Sequence, residues 1–118
     1  MSFIYYAHFV GDYNTKTELD DMKLIEKLFP NSTIFNPNSE YHSEQYKKIG
    51  MEYFYDIVRN CDVLVFRGLG DGNITAGVYG EIKSAEQCNI PIIELSSNYD
   101  NRKLTVTQTR DIIKKDKK

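Results

Sequence analysis

Apolar and polar positions alternate between two patterns along the chain. Short runs rich in β-branched and aromatic residues, "SFIYYAHF" (2–9), "STIF" (32–35), "DVLVF" (62–66) and "PIIEL" (91–95), read as strands. Between them, apolar residues recur every three or four positions, as on one face of a helix. From Thr15 to Phe29 the stripe is Leu19, Met22, Ile25 and Leu28 or Phe29, stopped by Pro30-Asn31. A second helical face runs from a Ser43 cap to about Asn60 and carries Tyr46, Ile49, Tyr53, Phe54, Ile57, Val58 and Cys61. A third starts with Thr75 as N-cap and reaches about Gln87, with Val78, Ile82 and Ala85 facing inward. Gly11-Asp12 and Asn36-Pro37 are turn signals, residues 67–74 and "SSNYDN" (96–101) read as loops, and a last helix is expected from about Thr107 to Lys115.

Strand and helix alternate throughout. This predicts an α/β fold: an open, mostly parallel sheet with helices on both faces, Rossmann-like or flavodoxin-like. "DVLVF" is continuously apolar, as a strand buried on both faces should be. Right-handed crossovers put the loop after every strand at one edge of the sheet, where ligands bind if the strand order reverses. Tyr6 to Phe9, Asn36-Pro37, Arg67 to Thr75 and Ser96-Ser97 are therefore expected around one crevice.

Length and charge narrow this further. The 118 residues suit a single domain, 1–118, with a flexible tail from about 114. A net charge of −2 and a pI near 5.7 argue against a general binder of polymeric nucleic acid. The basic tail "IIKKDKK" reads as a solubilising helix end. No segment approaches the roughly 20 apolar residues of a membrane span, and the N-terminus has a strand pattern, not that of a signal peptide. Cys61 and Cys88 lack CxxC spacing and are read as reduced core thiols of a cytoplasmic protein. His8 and His42 have no second His or Cys at ligand spacing, so no metal and no cofactor is expected.

The candidate chemistry lies in "DGNITAGVYGEIKSA" (71–85). Gly77 and Gly80 fall inside the helix that Thr75 opens, where each costs up to about 1 kcal/mol relative to alanine. Helical side chains lean toward the N-terminus, so Glu81 reaches over the turn containing Gly77. A bare position there leaves the carboxylate open toward the crevice. The helix start also offers unpaired N–H groups and a positive dipole end, suited to a phosphate or an ionised carboxylate. The same glycines equally suit close helix–sheet packing beside an ordinary exposed glutamate.

The pieces "IYYAHF", "FNPNSE", "DIVRNCDVLVF", "GVYGEIKSA" and "IPIIEL", in that order, resemble the nucleoside 2-deoxyribosyltransferase superfamily, and particularly its branch of deoxynucleoside 5′-monophosphate N-glycosidases. The similarity spans about residues 3 to 95. It implies that Glu81 matches the family's nucleophile, forming a glycosyl ester as in retaining glycosidases. It implies that Tyr5 or Tyr6, whichever points into the crevice, orients Glu81; Tyr6 is taken with Glu81 and Asp71 as the catalytic set, Tyr5 as a ligand contact. Asn36, the loop with Gly68 and Gly70, Asn73, Gly77 and Ser96 are the expected holders of sugar hydroxyls or a 5′-phosphate. A small-molecule nucleoside or nucleotide, and a homodimer or larger homo-oligomer paired through the Tyr-rich helix, are the implied partners.

Two departures from the family pattern stand out. His8 replaces a common glycine after the first strand and either contacts the ligand or is a turn residue. Phe54 stands eight residues ahead of Asp62, where the family usually has an aspartate that supports proton transfer. Glu52 and Asp56 flank Phe54 on other sides of the helix, and Asp62 belongs to the far end of the sheet, leaving Asp71 as the acid on the crevice edge. Arg67 suits either a phosphate or an ion pair, Glu94 is a lesser candidate for the site, and His42 reads as a polar loop residue. Two functions follow: N-glycosidic cleavage or 2-deoxyribosyl transfer through Glu81, or a noncatalytic module that binds a nucleotide-derived ligand.

Overall fold

The computed structural model describes residues 2–68 and 74–95, and the backbone of 101–104. The sheet runs β2-β1-β3-β4-β5, where β1 is Phe3–Ala7, β2 Thr33–Phe35, β3 Val63–Arg67, β4 Ile92–Leu95 and β5 Asn101–Leu104. The first four strands are parallel and β5 is antiparallel to β4. The fold is α/β, with an open, mostly parallel sheet. The sequence pattern gives no strand at β5, because "NRKL" lacks an apolar alternation; its pairing comes from the backbone edge of β4.

Four helices cover the sheet: α1 (Lys16–Leu28), α2 (Glu40–Ile49), α3 (Glu52–Arg59) and α4 (Ala76–Gln87) among the described residues. Alternation along the strands separates two cores. Tyr5, Ala7, Leu64 and Phe66 meet Phe54 and Val58 of α3 and Val78, Ile82 and Ala85 of α4 on one face. Ile4, Tyr6 and Val65 meet Ile25 of α1 on the other. The order reverses between β1 and β3, whose registers pair Tyr5 with Leu64 and Tyr6 with Val65. That switch point is where a crevice forms at the carboxyl edge.

Two helical readings are corrected. The single helix from Ser43 to Asn60 is two helices: Ser39, not Ser43, caps α2, and Gly50 at φ 86° turns the chain before α3. His42 therefore sits in the first turn of α2, its N–H bonded to Ser39 Oγ and its ring to the Tyr53 hydroxyl at 2.7 Å. In α1, capped by Thr15, Leu19 and Leu28 of the expected stripe are exposed, whereas Glu18 and Asp21 are buried beside Ile25. Tyr6 of β1 and Arg67 of β3 draw Asp21 inward, and His8 and Asn38, in the segments after β1 and β2, draw Glu18. No helix among the described residues is long and apolar enough to cross a membrane. The expected helix 107–115 and the tail lie outside the described residues.

Candidate functional site

A cavity of about 720 Å³ opens at the carboxyl edge, a volume ordinary for a small-molecule site. His8, Phe9, Val10 and Tyr13, which follow β1, form one wall, and Pro37 to Glu40, which follow β2, the next. Ser43, Tyr46, Met51 and Phe54 come from α2 and α3, and Thr75 to Val78 with Glu81 from the start of α4. The N-cap is as expected: Thr75 Oγ accepts from Val78 N–H.

Glu81 is 5% exposed, and its Oε2 accepts a hydrogen bond from the Tyr5 hydroxyl, which rises from the sheet beneath it. Burial pushes the Glu81 carboxyl up to about 8, while the Tyr5 hydrogen bond works in the opposite sense. The Tyr5 phenol is itself pushed strongly upward, first by burial and then by Glu81, so it stays a donor. Tyr13, in the opposite wall, is raised to about 12 by burial, then by Glu81 and Glu18.

The two helix glycines divide the roles that the sequence left open. A Cβ on Gly80 would lie 2.1 Å from the Tyr55 hydroxyl, so this glycine lets α3 pack closely on α4. A Cβ on Gly77 would meet nothing nearer than Met51 Cε at 3.8 Å, an ordinary contact. Gly77 lines the cavity beside Glu81. Packing explains Gly80; clearance toward the cavity explains Gly77.

Tyr6 is corrected. Successive strand residues face opposite sides of the sheet, so only Tyr5 reaches Glu81. The Tyr6 hydroxyl donates to Asp21 Oδ2 at 2.6 Å on the α1 side. Arg67 is corrected with it: its Nε and Nη2 bind Asp21 at 3.0 and 2.5 Å, and it is buried. This Tyr6–Asp21–Arg67 group ties α1 to β1 and β3 and lies away from the cavity lining. Tyr5 in turn positions Glu81 from behind and does not line the cavity.

His8 reaches the cavity wall, but as part of a polar post. Its ring nitrogens face Glu18 Oε2 at 2.8 Å and the Tyr6 carbonyl at 3.3 Å, and its ring stacks on that of Tyr6 at 3.8 Å. Glu18 also accepts from Asn14 N–H at 3.0 Å and from Asn38 Nδ2 at 2.9 Å. Burial alone would raise the Glu18 carboxyl; the hydrogen bonds from His8, Asn14 and Asn38 outweigh it and hold the group below its usual range. Asn36 serves the same post, reaching Glu18 at 3.4 Å and accepting Asn38 N–H at 2.9 Å. Asn38, not Asn36, lines the cavity.

Gly68 directly follows β3 but is outside the cavity lining. Gly70, Asp71, Asn73 and Ser96 lie outside the described residues. Asp62 is at the opposite end of the sheet, where Oδ2 accepts from Phe3 N–H at 2.7 Å. Glu52 and Asp56 face outward and pair with Arg59. Cys61 is buried, but Cys88 is exposed, against the expectation of a core thiol. Sequence reasoning missed Glu18, Asn38, Tyr13 and Glu40; Asn38 lay within the quoted "FNPNSE", and Glu18 stood three residues after a capping threonine, the one local signal available. Among the described residues no cluster of His, Cys, Asp and Glu is placed to hold a metal ion. No protein-family model, curated protein or solved structure matches the chain.

Proposed function

We propose that the protein cleaves or transfers an N-glycosidic bond of a nucleoside or nucleoside 5′-monophosphate, with Glu81 as nucleophile at C1′. The observation that carries this reading is a buried glutamate, held by Tyr5, beside the bare helix position Gly77 in a cavity of about 720 Å³. The glutamate Oε attacks C1′ as the C1′–N bond breaks and its electron pair leaves with the protonated base. Water or a second base then opens the glycosyl ester and frees Glu81. A low-polarity wall strengthens the attraction between the carboxylate and an oxocarbenium-like sugar.

One observation favours a second reading. Phe54, 8% exposed, lines the cavity where the resemblance calls for an aspartate, so the described wall lacks that proton donor. A module that binds a nucleotide-derived ligand without cleaving it would keep the cavity and do without the acid. The same resemblance supports a homodimer joined through α2, on which Tyr41, Tyr46 and Ile49 stay exposed, and the free thiols Cys61 and Cys88 support a cytoplasmic setting.

Pooled ribo- and deoxynucleosides and their 5′-monophosphates, incubated with the protein and read by mass spectrometry for free base, test the proposal. Base released by the wild type and not by Glu81→Gln supports it. Saturable binding with every ligand recovered intact selects the binding module instead.

A further inference from the structure

A base that departs from C1′ takes the electron pair of the C1′–N bond with it, and it leaves readily once a proton neutralises that pair. Phe54 has no proton to give, and serine and threonine hydroxyls are too weakly acidic. The ionisable side chains of the described lining are His8, Tyr13, Glu40, Tyr46 and Glu81. Glu81 is the attacking group. His8 is committed within the wall: its ring nitrogens face Glu18 at 2.8 Å and the Tyr6 carbonyl at 3.3 Å, and its side chain is 0% exposed. Glu40 and Tyr46 are exposed on α2. Tyr13 remains, half-buried in the wall that follows β1, and its hydroxyl forms no hydrogen bond among the described residues.

The backbone on either side of Tyr13 is pinned. A single 3-10 turn, Val10–Asp12, follows β1, and Tyr13 N–H closes it on the Val10 carbonyl at 3.0 Å. On the other side Asn14, at φ 63°, donates its N–H to Glu18 Oε1 at 3.0 Å, just before the Thr15 cap of α1. The Tyr13 ring leans on that of His8, with centroids 5.0 Å apart, and His8 is itself anchored to Glu18. Resting on the Glu81 reading above, we propose that Tyr13 is a second catalytic residue, whose hydroxyl gives the leaving base its proton and later takes one back from water. As Glu81 Oε bonds C1′, the C1′–N pair goes to the base and the Tyr13 O–H proton follows it, leaving a phenolate. Water then attacks C1′; its proton goes to the phenolate, and the C1′–Oε pair returns to Glu81. The charges favour this order. In the reactive, ionised form of Glu81, burial and then the Glu81 and Glu18 carboxylates hold the phenol at about 12, so its proton stays in place. Ester formation removes the Glu81 charge, and the phenol becomes a stronger acid as the base departs.

The test varies how much the leaving group needs a proton. Deoxy- and ribonucleosides of adenine, guanine and cytosine need one. The nucleosides of 7-methylguanine, whose base is already cationic, and the 4-nitrophenyl glycosides of both sugars, which release a stable phenolate, do not. Each substrate is used with and without a 5′-phosphate. Tyr13→Phe keeps the ring against His8 and removes a hydroxyl that bonds nothing among the described residues, so its thermal unfolding should match the wild type. On the ordinary nucleosides it is expected to lower kcat by about a hundredfold or more with KM within about threefold, and on the pre-activated substrates to change kcat by less than about threefold. Glu81→Gln is expected to abolish release from both sets. An equal loss on both sets makes Tyr13 a structural or binding residue, and no loss on either makes it dispensable; each result overturns this inference and leaves Glu81 standing. So does a wild type that cleaves only the pre-activated set. A wild type that cleaves neither set removes the Glu81 site and this inference with it.

Discussion

Burial of Glu81 couples its chemistry to folding. Its carboxyl is raised from an ordinary 4.5 to about 8 in the folded chain, so between those values the native state holds a proton that the unfolded state has lost. Stability must therefore fall as pH rises through that window, by about 1.4 kcal/mol per pH unit at most, and level off above about 8. Glu81→Gln should remove the slope and exceed the wild type in urea resistance at pH 7, by a few kcal/mol at most. Attack requires the ionised form, so kcat/KM for base release should climb with pH up to about 8; a flat profile from acid to alkaline pH would mean another group carries the reaction. The two glycines give a second contrast. Gly80→Ala should destabilise by about 1–3 kcal/mol because the new methyl meets Tyr55, and the sign should reverse in a Tyr55→Ala background. Gly77→Ala should leave stability unchanged or raise it by up to about 1 kcal/mol, yet weaken ligand binding, as thermal unfolding and calorimetry would register.

At the scale of elements, α1 is a carrier of carboxylates as much as an apolar face. Asp21 is fully buried and serves Tyr6 of β1 and Arg67 of β3 at once. Glu18, one turn earlier, collects His8 and the β2 loop through Asn38. Removing the Asp21 carboxylate takes from a buried guanidinium the partner that both its Nε and Nη2 bind. Asp21→Ala is expected to cost about 3–5 kcal/mol in chemical denaturation, far more than truncating the exposed Leu19 on the same helix. The break at Gly50 matters for the site as well. It separates α2 from α3, so that Ser43 and Tyr46 on one and Met51 and Phe54 on the other line the same cavity.

For the molecule as a whole, the switch between β1 and β3 fixes where a ligand can sit, and one side of the mouth is formed by α2. Tyr41, Tyr46 and Ile49 remain exposed there at 63%, 45% and 55%. If α2 pairs with a second copy, sedimentation should show a dimer whose dissociation constant rises at least about tenfold in Ile49→Asp, because an apolar contact is replaced by a charge. A monomer at every concentration would remove the pairing from the proposed function. The same mutation should leave thermal stability of the isolated chain within about 0.5 kcal/mol, since Ile49 is 55% exposed at the end of α2.

By itself the sequence determined the alternation of strands and helices, the parallel core of the sheet, the Thr75 cap and the placement of Glu81 over Gly77. All of these follow from local periodicity and capping chemistry, which need no knowledge of distant residues. Tertiary structure alone decided that Tyr5 and not Tyr6 holds Glu81, because strand alternation says that the two differ and not which faces α4. It alone turned Arg67 onto Asp21 and drew Glu18 to His8, since a carboxylate in a helical stripe looks solvent-facing until partners 10 or 46 residues away are known. It also separated the two glycines, one filled by Tyr55 and one open. Each of these outcomes depends on what stands opposite a residue across a packed interface, and local pattern carries no record of that.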